Sequence, residues 1–246
     1  MKYLIAALLL FTAQANAGLI SGINLGDGGN VKFVTSIFFN TVEPEGGDNV
    51  GTVTQGVGDV QQILDGDGTV LWQDGDNGAD LWFTFGNLVT QDFVPVFGQT
   101  ALFFNTGGTI DFFTHDAHLV LNQDFALDDA LVRSGDLWLS GVGDEVGGWT
   151  TVATSDSVFN TGSGQFELAE LSGPAGERVT AQAILRSDQS LTDFTFNYSS
   201  DSLNAGGYEY AGSADIAMVA TPVPAPMSAS LFALGLAGLM FRRKTA

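Results

Sequence analysis

The sequence predicts an all-β fold, a single antiparallel domain of sandwich or jelly-roll type, on three observations. Apolar and polar residues alternate over short runs, clusters of Gly, Asp, Asn and Ser separate those runs, and almost no stretch carries helical spacing. About a dozen short strands with turn signals between them is the pattern of a sandwich, since each strand buries one face and each turn reverses the chain.

The N-terminus opens with Lys2, an apolar run over residues 4–11 and the small-residue site Ala15-Asn16-Ala17. This order predicts a signal peptide over residues 1–17, cleaved between Ala17 and Gly18. Eight apolar residues are too few to span a bilayer, so an N-terminal anchor is disfavoured. The body expected to fold is residues 18–221. It holds all 28 acids but only Lys32, Arg133, Arg178 and Arg186 among the cations, a net charge of −24. Four scattered cations make no basic patch, which disfavours nucleic acid and anionic lipid surfaces as partners; divalent cations and neutral or cationic polymers fit better. With 45% apolar residues the chain is too hydrophobic for intrinsic disorder. The absence of cysteine removes disulfides, thiol catalysis and cysteine-ligated metals, so stability has to come from an apolar core.

Strands are expected over residues 31–39, 69–72, 81–89, 101–104, 109–114, 118–121, 137–140, 165–171, 178–186, 193–199, 208–210 and 214–220. The clearest is 193–199, where Phe194, Phe196 and Tyr198 face one way and Thr195, Asn197 and Ser199 the other. Residues 124–132 are the best helical stretch, short enough to be a loop instead.

The densest polar feature is Asp65-Gly-Asp67-Gly followed by Asp74-Gly-Asp76-Asn-Gly-Ala-Asp80. Calcium takes six to eight oxygens, and carboxylates two residues apart on a glycine-containing loop can wrap one ion, so Asp65, Asp67, Asp74, Asp76 and Asp80 are candidate calcium ligands. The same residues fit a solvated hairpin turn, because Asp-Gly supplies the positive φ of a type I′ turn. Glycine stands at the fifth position of that loop and Phe85 at the twelfth, where the calcium loop pattern has glycine at the sixth and glutamate at the twelfth. No cofactor is required by the reading; calcium is the ion the acidic loop offers.

Four tryptophans and 19 phenylalanines can fill a core or stack on sugar rings. Trp72, beside the acidic turn, and Trp149, after Gly147-Gly148, are the candidates for stacking. His115 and His118 in Thr-His-Asp-Ala-His point to opposite faces of a strand, so a shared zinc site with Asp116 needs an intervening turn. No Gly-x-Ser-x-Gly elbow, phosphate loop, dinucleotide fingerprint or His-Glu-x-x-His motif occurs, and the chain is read as non-catalytic.

Residues 222–246 read as a sorting tail. Pro222, Pro224 and Pro226 hold the chain extended and open to a protease. The apolar segment 227–241 carries no charge, and at about 1.5 Å per residue it reaches about 22 Å against a hydrocarbon core of about 30 Å. Snorkelling and thinning close such a gap. Arg242, Arg243 and Lys244 then form a basic stop that keeps the C-terminus in the cytoplasm.

Val223-Pro224-Ala225-Pro226, the Leu-x-x-Leu-Gly-Leu-x-Gly-Leu run from Leu231 to Leu239, and the closing Arg242 and Arg243 together resemble the PEP-CTERM sorting signal that bacterial exosortases recognise on exported proteins. Ala225 stands where that signal carries glutamate. The resemblance implies export from a Gram-negative cell, an inner-membrane-tethered precursor, cleavage by an exosortase near Pro224 to Pro226, and delivery to the surface or matrix. The texture of the body is similar to that of flocculation-associated PEP-CTERM proteins, which implies exopolysaccharide as partner in biofilm or floc formation. A carbohydrate-binding sandwich module is the alternative, identifiable by aromatics in line on one sheet face. A polysaccharide-trimming hydrolase would need two carboxylates about 5 to 10 Å apart in a cleft.

Overall fold

The computed structural model describes residues 19–45, 50–95, 100–143, 149–155, 159–166, 168–180, 182–185, 191–192, 194–202 and 207–221. The signal-peptide residues, including Ala15, Ala17 and Gly18, and the tail with Val223, Pro224, Ala225, Pro226, Arg242 and Arg243 lie outside them. Among the described residues no helix is long and apolar enough to cross a membrane.

A small hairpin, β1 (Leu19–Ile20) and β2 (Ile23–Asn24), precedes two long strands, β3 (Gly29–Val42) and β4 (Val53–Asp65). Next come β5 (Val70–Gln73), β6 (Asp80–Pro95), β7 (Thr100–Thr106) and β8 (Thr109–His115). The helix α1 (Phe125–Val132) leads to β9 (Asp136–Gly143), β10 (Trp149–Ser155), β11 (Phe159–Phe166) and β12 (Leu168–Ser172). The C-terminal part holds β13 (Val179–Thr180), β14 (Gln182–Leu185), β15 (Leu191–Thr192), β16 (Phe194–Ser202) and β17 (Tyr210–Ala220).

The fold is all-β and antiparallel, as the alternation predicts, and among the described residues thirteen strands share one sheet. Its pairings run β6-β7-β10-β11-β16-β17-β3-β4 and return to β6, which bonds both β4 and β7. The facing walls expected of a sandwich therefore belong to one sheet curved on itself. Curvature is visible in the core. Phe33 on β3 lies 5.8 Å from Phe112 on β8 and 6.2 Å from Trp138 on β9, ring centre to ring centre. In a flat sheet the three strand spacings from β3 to β8 would hold them roughly 14 Å apart.

Two apolar layers result. The inner face of the curve buries Phe33, Val60, Ile63, Leu81, Phe83, Phe112 and Met218. The outer face of β4, β6 and β8 would expose Val57, Trp82 and Phe113, but α1 and residues 116–121 fold over it and bury them with Val132 and Tyr208. This is why residues 80–84 of β6 are buried on both faces, against the alternation normal for a strand.

The structure departs from the sequence reading at several elements. β4 lies at the centre of the fold although it breaks the strand pattern with Gly56 and Gly58. Both glycines are required, because a Cβ on Gly56 would collide with Phe39 and Phe85, and one on Gly58 with the Phe83 ring and the Ser36 carbonyl. Their bare backbone makes room for the core phenylalanines. Residues 118–121 are not a strand but part of the outer cover. The expected strand 178–186 is divided between a 3₁₀ turn at Gly176–Arg178, β13 and β14. Residues 124–132 do form a helix, α1, started by the Asp124 side chain accepting the Leu127 N–H at 3.1 Å.

Candidate functional site

The site arises where β4 changes partners. Residues 53–60 of β4 pair with β6, whereas residues 62–64 pair with β5, and Gln61 is an extra residue opposite the Val34/Thr35 step of β3. β5 and β6 run in the same direction along one edge of β4, so the chain between them loops out and returns. Gly75 and Gly78 with Asn77, all at positive φ, close that excursion. The Gly75 N–H bonds the Ala79 carbonyl across its neck at 3.3 Å. The two residues flanking the neck are Asp74 and Asp80, and the closure sets their carboxylates side by side.

His118 completes the group. β8 ends at His115, and the cover segment turns back so that the His118 Nδ1 lies 3.3 Å from Asp74 and 3.6 Å from Asp80. All three donor atoms lie within 4.8 Å of one another. The imidazole is 57% exposed while the Asp80 carboxylate is only 7% exposed, so the cluster has a buried end and an open one. Its open end faces a groove of about 850 Å³ floored by Ser36, Asp59 and Trp82 and walled by Leu119 and Leu121. Ser36, Asp59 and Trp82 form one row across β3, β4 and β6 by strand register.

Charge is crowded here. Burial first, then the neighbouring Asp80 charge and a hydrogen bond shared with Asp80, push the Asp74 carboxyl up to about 6. Burial also raises Asp59, against the lowering effect of a hydrogen bond from Ser36. The Trp82 ring lies 5.2 Å from the His118 ring, and its buried Nε1–H has no acceptor among the described residues.

The five expected calcium ligands do not gather as one loop. Asp65 accepts the N–H groups of Asp67 and Thr69 at 3.0 and 2.7 Å and shapes the β4–β5 turn, as Asp-Gly hairpin chemistry requires. Asp76 accepts the Gln73 N–H at 3.0 Å. Asp67 lies on the same exposed turn as Asp65. Only Asp74 and Asp80 converge.

The sugar-stacking role for Trp72 is corrected by its burial. The ring is 0% exposed in the inner core and its Nε1–H points to the Asp76 carbonyl at 3.4 Å, leaving no face for a ligand. Trp149 pairs by backbone with Asn105 and Phe166, and its side chain lies outside the described residues.

The two histidines part company at the turn. His115 Nε2–H donates to the Val132 carbonyl at 2.9 Å, against Gly135, whereas His118 reaches the carboxylates; Asp116 is exposed on the turn between them. Spacing along the chain offered His118 with His115 and Asp116 and did not reveal its actual neighbours Asp74 and Asp80, which lie some forty residues earlier. Compared with known proteins, the chain matches no family model, no curated protein and no solved structure.

Proposed function

We propose that the chain is a non-catalytic exported protein of the cell surface or extracellular matrix, sorted by an exosortase and associated with exopolysaccharide. The observation that carries this reading is the order of segments in the tail sequence: Val223-Pro224-Ala225-Pro226, the uncharged segment 227–241, then Arg242 and Arg243. An N-terminal signal peptide and a cysteine-free body at −24 support it, because such a body suits divalent cations and neutral polymers rather than nucleic acid. Burial of Trp72, Trp82 and Trp138 weighs against the carbohydrate-binding alternative, which needs aromatics in line on an open face.

In this reading the precursor is exported, held at the inner membrane by its tail, and cut near Pro224 to Pro226. The acidic body then joins the matrix, with divalent ions as bridges between carboxylates and polymer. The test is the fate of pulse-labelled chain in the producing cell. Replacing Pro224 and Pro226, or Arg242 and Arg243, by alanine is expected to leave full-length precursor in the membrane, as is deletion of the exosortase. Normal maturation of both variants contradicts the assignment.

A further inference from the structure

We infer that Asp74, Asp80 and His118 form a site for one divalent transition-metal ion of the zinc class, open to the outer groove. The inference stands on geometry and is independent of the sorting reading. It also differs from a calcium loop, since it uses two of the five acidic candidates and adds a nitrogen donor.

Three features of the cluster converge on a metal. The first is donor chemistry. The imidazole nitrogen lies 3.3 Å from the Asp74 carboxylate and 3.6 Å from that of Asp80, separations that a single ion with bonds of about 2.0 to 2.2 Å spans. Calcium prefers six to eight oxygens at longer distance, whereas imidazole favours zinc and its neighbours.

Second is the state of Asp80. Its carboxylate keeps 7% exposure, faces the Asp74 carboxylate, and has the half-exposed His118 imidazole at 3.6 Å, which forms an ion pair only when protonated. A buried carboxylate left in that state is costly, and burying it beside a second carboxylate is more so. A doubly charged ion offsets both the desolvation and the repulsion.

The third feature lies outside the acidic cluster. Trp82, two residues along β6 and on the same outer face as Asp80, is almost fully buried and lines the groove, and its Nε1–H lacks an acceptor among the described residues. A buried donor without a partner marks a place where an acceptor is expected, here an oxygen ligand in the groove and not the ion itself. With three protein donors the ion keeps at least one coordination position, on the side of the groove and the exposed imidazole. That position would take water or an oxygen ligand such as a carboxylate or hydroxyl. His118 would bind through Nδ1, the nitrogen facing Asp74 and Asp80, and in the metal-bound form that nitrogen gives up its proton.

The test is calorimetric titration of the full chain in detergent with zinc chloride, in the presence of excess calcium chloride to occupy nonspecific acidic sites. One zinc per chain is expected. His118→Ala and Asp80→Asn should each weaken it by roughly tenfold to a hundredfold or more, while Asp65→Asn with Asp67→Asn should leave it unchanged. Apo Asp80→Asn is expected to melt no lower than the parent, because the substitution removes a repelling charge; this separates lost binding from lost folding. Nitrogen-15 spectra of the imidazoles supply an independent readout, in which zinc should shift the His118 Nδ1 resonance and spare His115. Absence of zinc binding, displacement of zinc by calcium, or binding indifferent to both His118→Ala and Asp80→Asn overturns the site.

Discussion

Single residues carry more of this fold than their chemistry suggests. Gly58 and Gly56 sit in a central strand where glycine is ordinarily a weakness, yet the Phe83 and Phe85 rings occupy the space their side chains would need. Gly58→Ala is expected to cost about 2 kcal/mol or more, in the range of overpacked cores, read as a lower urea midpoint. Gly86→Ala on the neighbouring strand would meet nothing closer than the Gln55 Cβ at 3.6 Å, so its midpoint should stay within about 0.5 kcal/mol of the parent.

Tyr208 gives a second residue-scale prediction. Its hydroxyl donates to the fully buried Asp128 at 3.1 Å, and burial followed by the Asp128 charge pushes the phenol above its usual value. A raised folded-state value means the unfolded chain ionises first. The stabilisation is therefore complete below about pH 10, the ordinary phenol value, and is lost as pH climbs beyond it. Tyr208→Phe should lower stability by about 1 to 3 kcal/mol at neutral pH and flatten the alkaline slope of thermal midpoint against pH.

At the scale of elements, the cover over the outer face depends on one arginine. Arg133, at the end of α1, donates to Asp111 on β8 at 2.8 Å and to Asp129 at 3.0 Å, while Asp129 accepts from Thr84 on β6 at 2.6 Å. Ser140 on β9 donates to the other Asp111 oxygen. Asp111 is buried, so Arg133→Ala leaves a carboxylate with one remaining donor. Breaking a fully buried pair costs about 3 to 5 kcal/mol, and since the guanidinium keeps 41% exposure a loss of about 2 kcal/mol is expected. Hydrogen exchange should show the loss as earlier opening of α1 with the inner strands still protected; uniform loss of protection would mean that the cover and core are one cooperative unit.

Element-scale chemistry also decides what was legible in the sequence. Alternation located β3, β8 and β17, because each buries one row of apolar residues while the other row is wetter or covered. It missed β4, whose glycines answer to rings on other strands rather than to a local pattern. Residues 124–132 were legible only as a stretch that could be helix or loop; the Asp124 cap, which acts within its own turn, decides for the helix. The acidic turns were legible as turns, yet which acids converge was not. Asp65 and Asp74 look alike in sequence, and only the change of partner along β4 sets Asp74 against Asp80. His118 joins them through a reversal after β8 that no spacing rule encodes.

For the whole molecule, sorting and body are separate propositions. The tail resemblance covers residues 223–244 and determines where the protein would go; the body determines what it would touch. Among the described residues, the outer groove and the acidic turns are where this reading has ions and polymer meet the protein. Matrix association by this account depends on divalent cations.

That dependence makes co-sedimentation the most direct test. Processed protein collected from the producing cells would be mixed with exopolysaccharide from the same source and spun, with and without excess chelator. The protein is expected to pellet with the polymer and to return to the supernatant when chelator is added. Protein that stays in the supernatant under both conditions contradicts the matrix role.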